Sequence, residues 1–260
     1  MSYEKVLYSL ESGVAHVSLN DPATRNAISR QLAEELIDAL RRAGREARTV
    51  LLTGEGKGFS SGANLAETKI DVSDPMRDAG VALDDFLHPM VKELQGLDLP
   101  VVTAVQGAAA GIGSSLAMAG DIIVCGTSGY FLQAFRHVGL VGDGGATWLL
   151  TRAVGRVRAM EMLLLGERLP ADKALEWGLV TRVVPDEDLF DTAMALARDL
   201  AAGPRSLSLI KRTAWNANDT TLETAMAMER AAQREASRSD DFAEGVAAFL
   251  DKRPPEFKGK

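Results

Sequence analysis

The chain has 260 residues, 46% hydrophobic and 25% charged, an ordinary globular composition with enough length to bury roughly three quarters of its unfolded surface in one large domain. A net charge of -7 at pH 7 argues against a general nucleic-acid or anionic-membrane binder, because the field of the whole chain would attract neither. Cys125 is the single cysteine, which excludes an internal disulfide and a cysteine-based metal site, and no apolar run approaches the ~20 residues of a membrane span. With no apolar signal core at its start, the expectation is a cytoplasmic protein.

In chain order, VAHVSL (14–19) alternates weakly and TVLLTG (49–54) is a short apolar run ending on glycine; both read as strands. Between them, SRQLAEELIDALRRAGR (29–45) sets Leu32, Ala33, Leu36, Ile37 and Leu40 at helical spacing, with Ser29 as N-cap. GEGKGFSSGANLAE (54–67) follows a strand and carries Gly54, Gly56, Gly58 and Gly62; it is either a flexible surface loop or a functional one. The amphipathic stretch VALDDFLHPMVKEL (81–94) contains His88. VVTAVQG (101–107), DIIVC (121–125) and GLVTRVV (178–184) continue the strand series. QGAAAGIGSSLAMAGD (106–121) leaves a strand and becomes helical near Gly113, its small residues suiting either tight helix-on-sheet packing or close approach to a ligand. GLVGDGGATWLL (139–150) sets Asp143 among four glycines ahead of an apolar run on which Trp148 reads as core. Alternating strands and helices predict an α/β layer fold. After Pro185 the segments 186–203, 206–218 and 221–239 are consecutive helical patterns, expected to pack on the core or on a neighbouring subunit.

Neither glycine-rich segment fits a phosphate loop, and Leu116 stands where a dinucleotide fingerprint requires glycine. Instead GKGFSSGANLAE, AVQGAAAGIGSSLAMAGDIIV, LTRAVGRVRAMEMLLLGERLPADKALEWGLV and EGVAAFLDKRPPEFKGK, four blocks in order across nearly the whole chain, resemble the enoyl-CoA hydratase/isomerase, or crotonase, family. The resemblance implies a spiral of strand-strand-helix turns over residues 1–195 and a helical oligomerisation region over 196–260, assembled as a trimer or hexamer. It also implies an acyl-CoA thioester substrate and no separate cofactor, coenzyme A being part of the substrate.

The shared chemistry of that family is an enolate oxyanion held by two backbone N–H groups, each typically worth ~2.7–4 kcal/mol. Matching the motifs implies the N–H groups of Ala63, after Gly62, and of Ile112, between Gly111 and Gly113 at a helix start where the dipole favours negative charge. Ile112 departs from a glycine common there, which a backbone donor tolerates. Hydratases of the family use two glutamates, at positions that are Ser115 and Phe135 here. Losing two acid/base groups, each commonly worth 10²- to 10⁴-fold, weighs against hydration. Asp143 instead sits where ring-opening isomerases of the family carry an aspartate, and one base suffices to move a double bond from the 3 to the 2 position.

Other readings stay open. Asp143 is also a fair cap for a helix beginning near Gly144, a role worth ~1 kcal/mol. His88 is either a packing residue or part of the acyl pocket, and dehalogenases of the family combine a histidine with a nucleophilic aspartate at similar positions. Their tryptophan near the aspartate is Phe135 here, while His16 and His137 have no motif behind them. For the CoA handle, the resemblance implies Arg25 and Ala27 in PATRNAI, the segment of Ser61, Asn64 and Leu65, and Phe249 and Lys252 near the C-terminus. Asn64 replaces the more usual aspartate, and Arg25 is otherwise a solvated loop arginine. A non-catalytic CoA-binding protein is the alternative outside enzymology.

Overall fold

The computed structural model describes residues 3–67 and 70–259. Two antiparallel strands absent from the sequence reading as a pair open it: β1 (Val6–Glu11) and β2 (Val14–Leu19), in register from Val6 opposite Leu19 to Glu11 opposite Val14. Ser12 and Gly13 join them with φ of 50° and 79°, the left-handed pair that a tight hairpin turn requires. Next come α1 (Arg30–Glu46), β3 (Thr49–Gly54), α2 (His88–Gln95), β4 (Val101–Val105), β5 (Ala108–Ala110) and α3 (Ile112–Met118). They are followed by β6 (Ile122–Gly126), β7 (Tyr130–Leu132), α4 (Ala146–Leu165), β8 (Arg168–Pro170), α5 (Ala171–Glu176) and β9 (Arg182–Val184). Of the expected strand 178–184 only the last three residues pair, because Gly178, at φ 79°, is still turning out of α5.

One sheet runs β1-β2-β3-β4-β6-β9, parallel after its first pair, and a smaller one runs β5-β7-β8. The central strands β3 and β4 are buried on both faces, which is why they read as unbroken apolar runs. Val50 and Leu52 point to the layer of α1, where Leu32, Leu36 and Leu40 are fully buried. Leu51, Val102 and Ala104 point the other way, onto α6 (Leu189–Ala202) through its Leu189, Ala193 and Ala197. The expected cap of α1 is present: Ser29 Oγ accepts from the Leu32 N–H at 3.1 Å.

The division at residue 195 falls within α6, which belongs to the sheet's second face. Beyond it lie α7 (Ser206–Ala217), α8 (Leu222–Ala236) and α9 (Asp240–Asp251). The buried Lys211 fastens α7 to the core, its Nζ 3.0 Å from Asp121 Oδ2 and 2.9 Å from the Leu99 carbonyl. By contrast α8 buries none of its residues, and Met226, Phe242, Val246, Phe249 and Leu250 are exposed. Among the described residues no helix is long and apolar enough to cross a membrane.

Candidate active site

Two loop-to-strand crossings bring the glycine-rich segments together. Ser60 bridges to Ala109: its N–H donates to the Ala108 carbonyl and its carbonyl accepts from the Ala110 N–H, each at 2.9 Å. Three residues on, Ala63 bridges to Ile28, the Ile28 N–H reaching the Gly62 carbonyl at 2.8 Å. Both bonds of this bridge are made by the neighbours of Ala63, the second by Asn64, whose N–H donates to the Ile28 carbonyl at 3.0 Å, so the Ala63 N–H faces away from Ile28. Ala63 therefore keeps a free amide, and so does Ile112 at the start of α3; among the described residues neither N–H has an acceptor. The two are neighbours: a Cβ on Gly62, at φ 101°, would lie 3.0 Å from the Ala110 carbonyl oxygen and 3.8 Å from Gly111 Cα. Gly113 is needed for the same closeness, since a Cβ there would sit 2.6 Å from Ser60 Cβ.

Asp143 lies on the loop that packs against this helix start. Its neighbour Gly144 abuts Ile112 and Ser115, where a Cβ would come within 2.9 and 3.0 Å of their side chains. Ser115 Oγ donates to the Asp143 backbone carbonyl at 3.0 Å and fixes the loop. The capping expectation is corrected by the structure. Gly144 and Gly145 take φ of 59° and 78°, so α4 begins at Ala146 and Gly145 is its N-cap. It is the Asp143 carbonyl, not the carboxylate, that accepts from Ala146 N–H, at 2.9 Å. Asp143 Oδ1 is buried without a hydrogen-bond partner, and burial pushes the carboxyl up to about 6. A carboxyl of raised pKa, on a loop packed against a helix start with an open amide, is suited to move a proton near a developing oxyanion.

Phe135 reaches the same place, its Cζ 3.7 Å from where a Gly111 Cβ would stand, so an aromatic edge lies against this loop. His88 begins α2 and lines a cavity with Gly144, Gly145 and Trp148, which places it beside the Asp143 loop. Trp148, expected in the core, is only half-buried and forms part of that cavity wall. Arg25 is exposed at φ 58°, and its carbonyl accepts from the Ser61 N–H at 2.9 Å, so Arg25, the buried Ala27 and Ser61 form one rim. Asn64 finds Glu67, donating to its carboxylate at 2.8 Å, and Leu65 is exposed beside it. Phe249 and Lys252 are not part of this rim. Phe249 lines a groove built from residues 204–257, and Lys252 is the exposed, left-handed end of α9.

Sequence reasoning passed over Asn26, whose fully buried amide organises the rim. Its Oδ1 accepts from Asp21 N–H, and its Nδ2 donates to the carbonyls of Glu55, Gly58 and Phe59 at 2.9 to 3.1 Å. The readable signal was an Asn in a Pro-started turn, where Asn tolerates its φ of 56°. Ser60, also fully buried, was missed as well; its Oγ donates to the Asn26 carbonyl and accepts from Gly62 N–H.

The enoyl-CoA hydratase/isomerase family profile matches residues 9–260. The chain is 44% identical over 260 residues to the 1,2-epoxyphenylacetyl-CoA isomerase of Escherichia coli, covering 99% of each. It is 39% identical to a probable enoyl-CoA hydratase of Rhodobacter capsulatus, covering all of both chains. In structure it resembles an enoyl-CoA hydratase/isomerase crystal structure from Mycobacterium abscessus with a TM-score of 0.92 and 34% identity, over 98% of this chain and 100% of the other. With the adjoining glycine loops, their two open amides and a match of this extent, the chain belongs to the enoyl-CoA hydratase/isomerase family, with the crotonase fold, and the family acts on acyl-CoA thioesters.

Proposed function

We propose that the protein is a 3-enoyl-CoA to 2-enoyl-CoA isomerase in which Asp143 is the single acid/base. The observation that carries this reading is the buried, unpartnered Asp143 Oδ1 on the loop that packs against the start of α3, where the Ile112 amide is open, with the open Ala63 amide on the neighbouring segment. The Asp143 carboxylate takes a proton from C2 of the acyl chain, and the electrons of that C–H bond pass into the thioester as a dienolate. The N–H groups of Ala63 and Ile112 stabilise the oxyanion, each for roughly 2.7–4 kcal/mol. The protonated Asp143 returns the proton at C4, leaving the double bond between C2 and C3. Ser115 and Phe135 offer no carboxylate to deliver water, so hydration lacks its pair. Arg25, Ala27, Ser61, Asn64 and Leu65 would hold the CoA moiety at the rim. Phe249 and Lys252 would serve a neighbouring subunit's CoA.

A second reading is opening of an epoxide on a 1,2-epoxyphenylacetyl-CoA, favoured by the 44% identity to an isomerase of that substrate. The test is the purified protein supplied with 3-hexenoyl-, crotonyl- and 1,2-epoxyphenylacetyl-CoA. The expected result is a conjugated 2-enoyl ester from 3-hexenoyl-CoA and slow or absent hydration of crotonyl-CoA. Fast hydration without isomerisation overturns the single-base reading, and turnover of the epoxide alone selects the second.

A further inference from the structure

Beside the Asp143 loop, α2, α4 and α7 line an open cavity of about 500 Å³ whose walls include His88, Val91, Gly144, Trp148 and Trp215. That volume lies within the range of small-molecule sites. Trp148 and Trp215 stack with ring centroids 5.9 Å apart at 12°. The same two indoles line a second hollow of about 270 Å³ on the side of Met118 and Ile123, so the pair is the partition between the two.

Trp215 is held from behind. Its Nε1 donates to Asp121 Oδ1 at 2.7 Å, while Asp121 Oδ2 accepts from Val101 N–H at 2.8 Å and pairs with Lys211 at 3.0 Å. Lys211 and Trp215 are four residues apart on α7 and so share a face, which lets one half-buried carboxylate just ahead of β6 fix both. An indole on a peripheral helix gains little stability from so costly a burial of charge, but it gains a defined orientation. The cavity starts at Gly144, next to the group that would act on C2 and C4, and Trp215 stands on its wall.

We propose that the apolar tail of the acyl group, beyond the reacting carbons, lies against Trp215, which makes Trp215 a specificity-determining residue and Asp121 and Lys211 the positioning residues that hold its ring. This rests on the reading of the Asp143 loop as the acyl-thioester site. The test is calorimetric binding of butanoyl-CoA and decanoyl-CoA, saturated esters that double-bond chemistry does not consume. The wild type should bind decanoyl-CoA more tightly. Trp215→Ala should weaken decanoyl-CoA by about tenfold and leave butanoyl-CoA within about twofold. Trp215→Phe keeps a ring but removes the tether, and should cost about threefold for decanoyl-CoA alone. Asp121→Asn should show the same selective loss, and Trp215→Phe breaks that hydrogen bond from the other end should the Asn variant not fold. Equal weakening of both esters, no weakening of either, or equal wild-type affinities overturns the proposal. Failure of the wild type to isomerise 3-hexenoyl-CoA would overturn the proposed reaction while leaving these affinities to decide the subsite.

Discussion

The Asp143 carboxyl, raised to about 6 by burial, links activity and stability to pH in opposite senses. A base must be ionised, so kcat/KM for the 3-enoyl substrate should rise with pH through about 6 and then level off. The folded chain holds this proton more tightly than the unfolded chain between about pH 4 and pH 6, so the stability it confers falls as pH rises through that window and is gone above it. Asp143→Asn removes the buried charge. The variant should melt at pH 8 no lower than the wild type, while turnover falls at least ~10²-fold. Retained isomerisation would remove Asp143 from the mechanism. Asp143 was legible as a candidate because a carboxylate among glycines is unusual; its role as a cap was misread, because two left-handed glycines move the helix start beyond its side chain. Asn26 was passed over for the opposite reason: its turn was readable, but a loop amide looks solvated until the strands it ties are in place.

At the scale of elements, the approach of α3 to the 60–63 segment sets where the Ile112 amide points. Gly113→Ala tests this, because the added methyl would meet Ser60 Cβ at 2.6 Å and both backbones must yield. The variant should keep its circular dichroism and lose about 10²-fold in turnover, the scale of a displacement of roughly 1 Å at a reacting centre. Elements with one buried stripe, such as α1, or two buried faces, such as β3 and β4, were readable from periodicity alone. The three-residue strands β5, β7 and β8 were not, since so short a run carries no period and exists only through its partners.

At the scale of the molecule, α8 and α9 expose Met226, Phe242, Val246, Phe249 and Leu250 in a region that α7 otherwise anchors. Such a surface asks for a partner of the same kind, and closed rings are the usual solution. Analytical ultracentrifugation should therefore find three or six times the 27.8 kDa chain. A clean monomer at micromolar concentration counts against the placing of Phe249 and Lys252 at a neighbour's CoA. The helical composition of this region was plain in the sequence, but which faces would stay uncovered was not, because apolar spacing looks the same against a core or a second subunit.

The hydrogen bond from Ser115 to the Asp143 carbonyl, with Gly144 wedged against the same serine, bears on how such enzymes change reaction over evolutionary time. A glutamate introduced at 115 would lose that hydrogen bond and leave the Asp143 loop untied. On the proposed mechanism, Ser115→Glu alone should therefore impair isomerisation without installing hydration. If that holds, a lineage moving between the two reactions would have to alter the serine and the loop together.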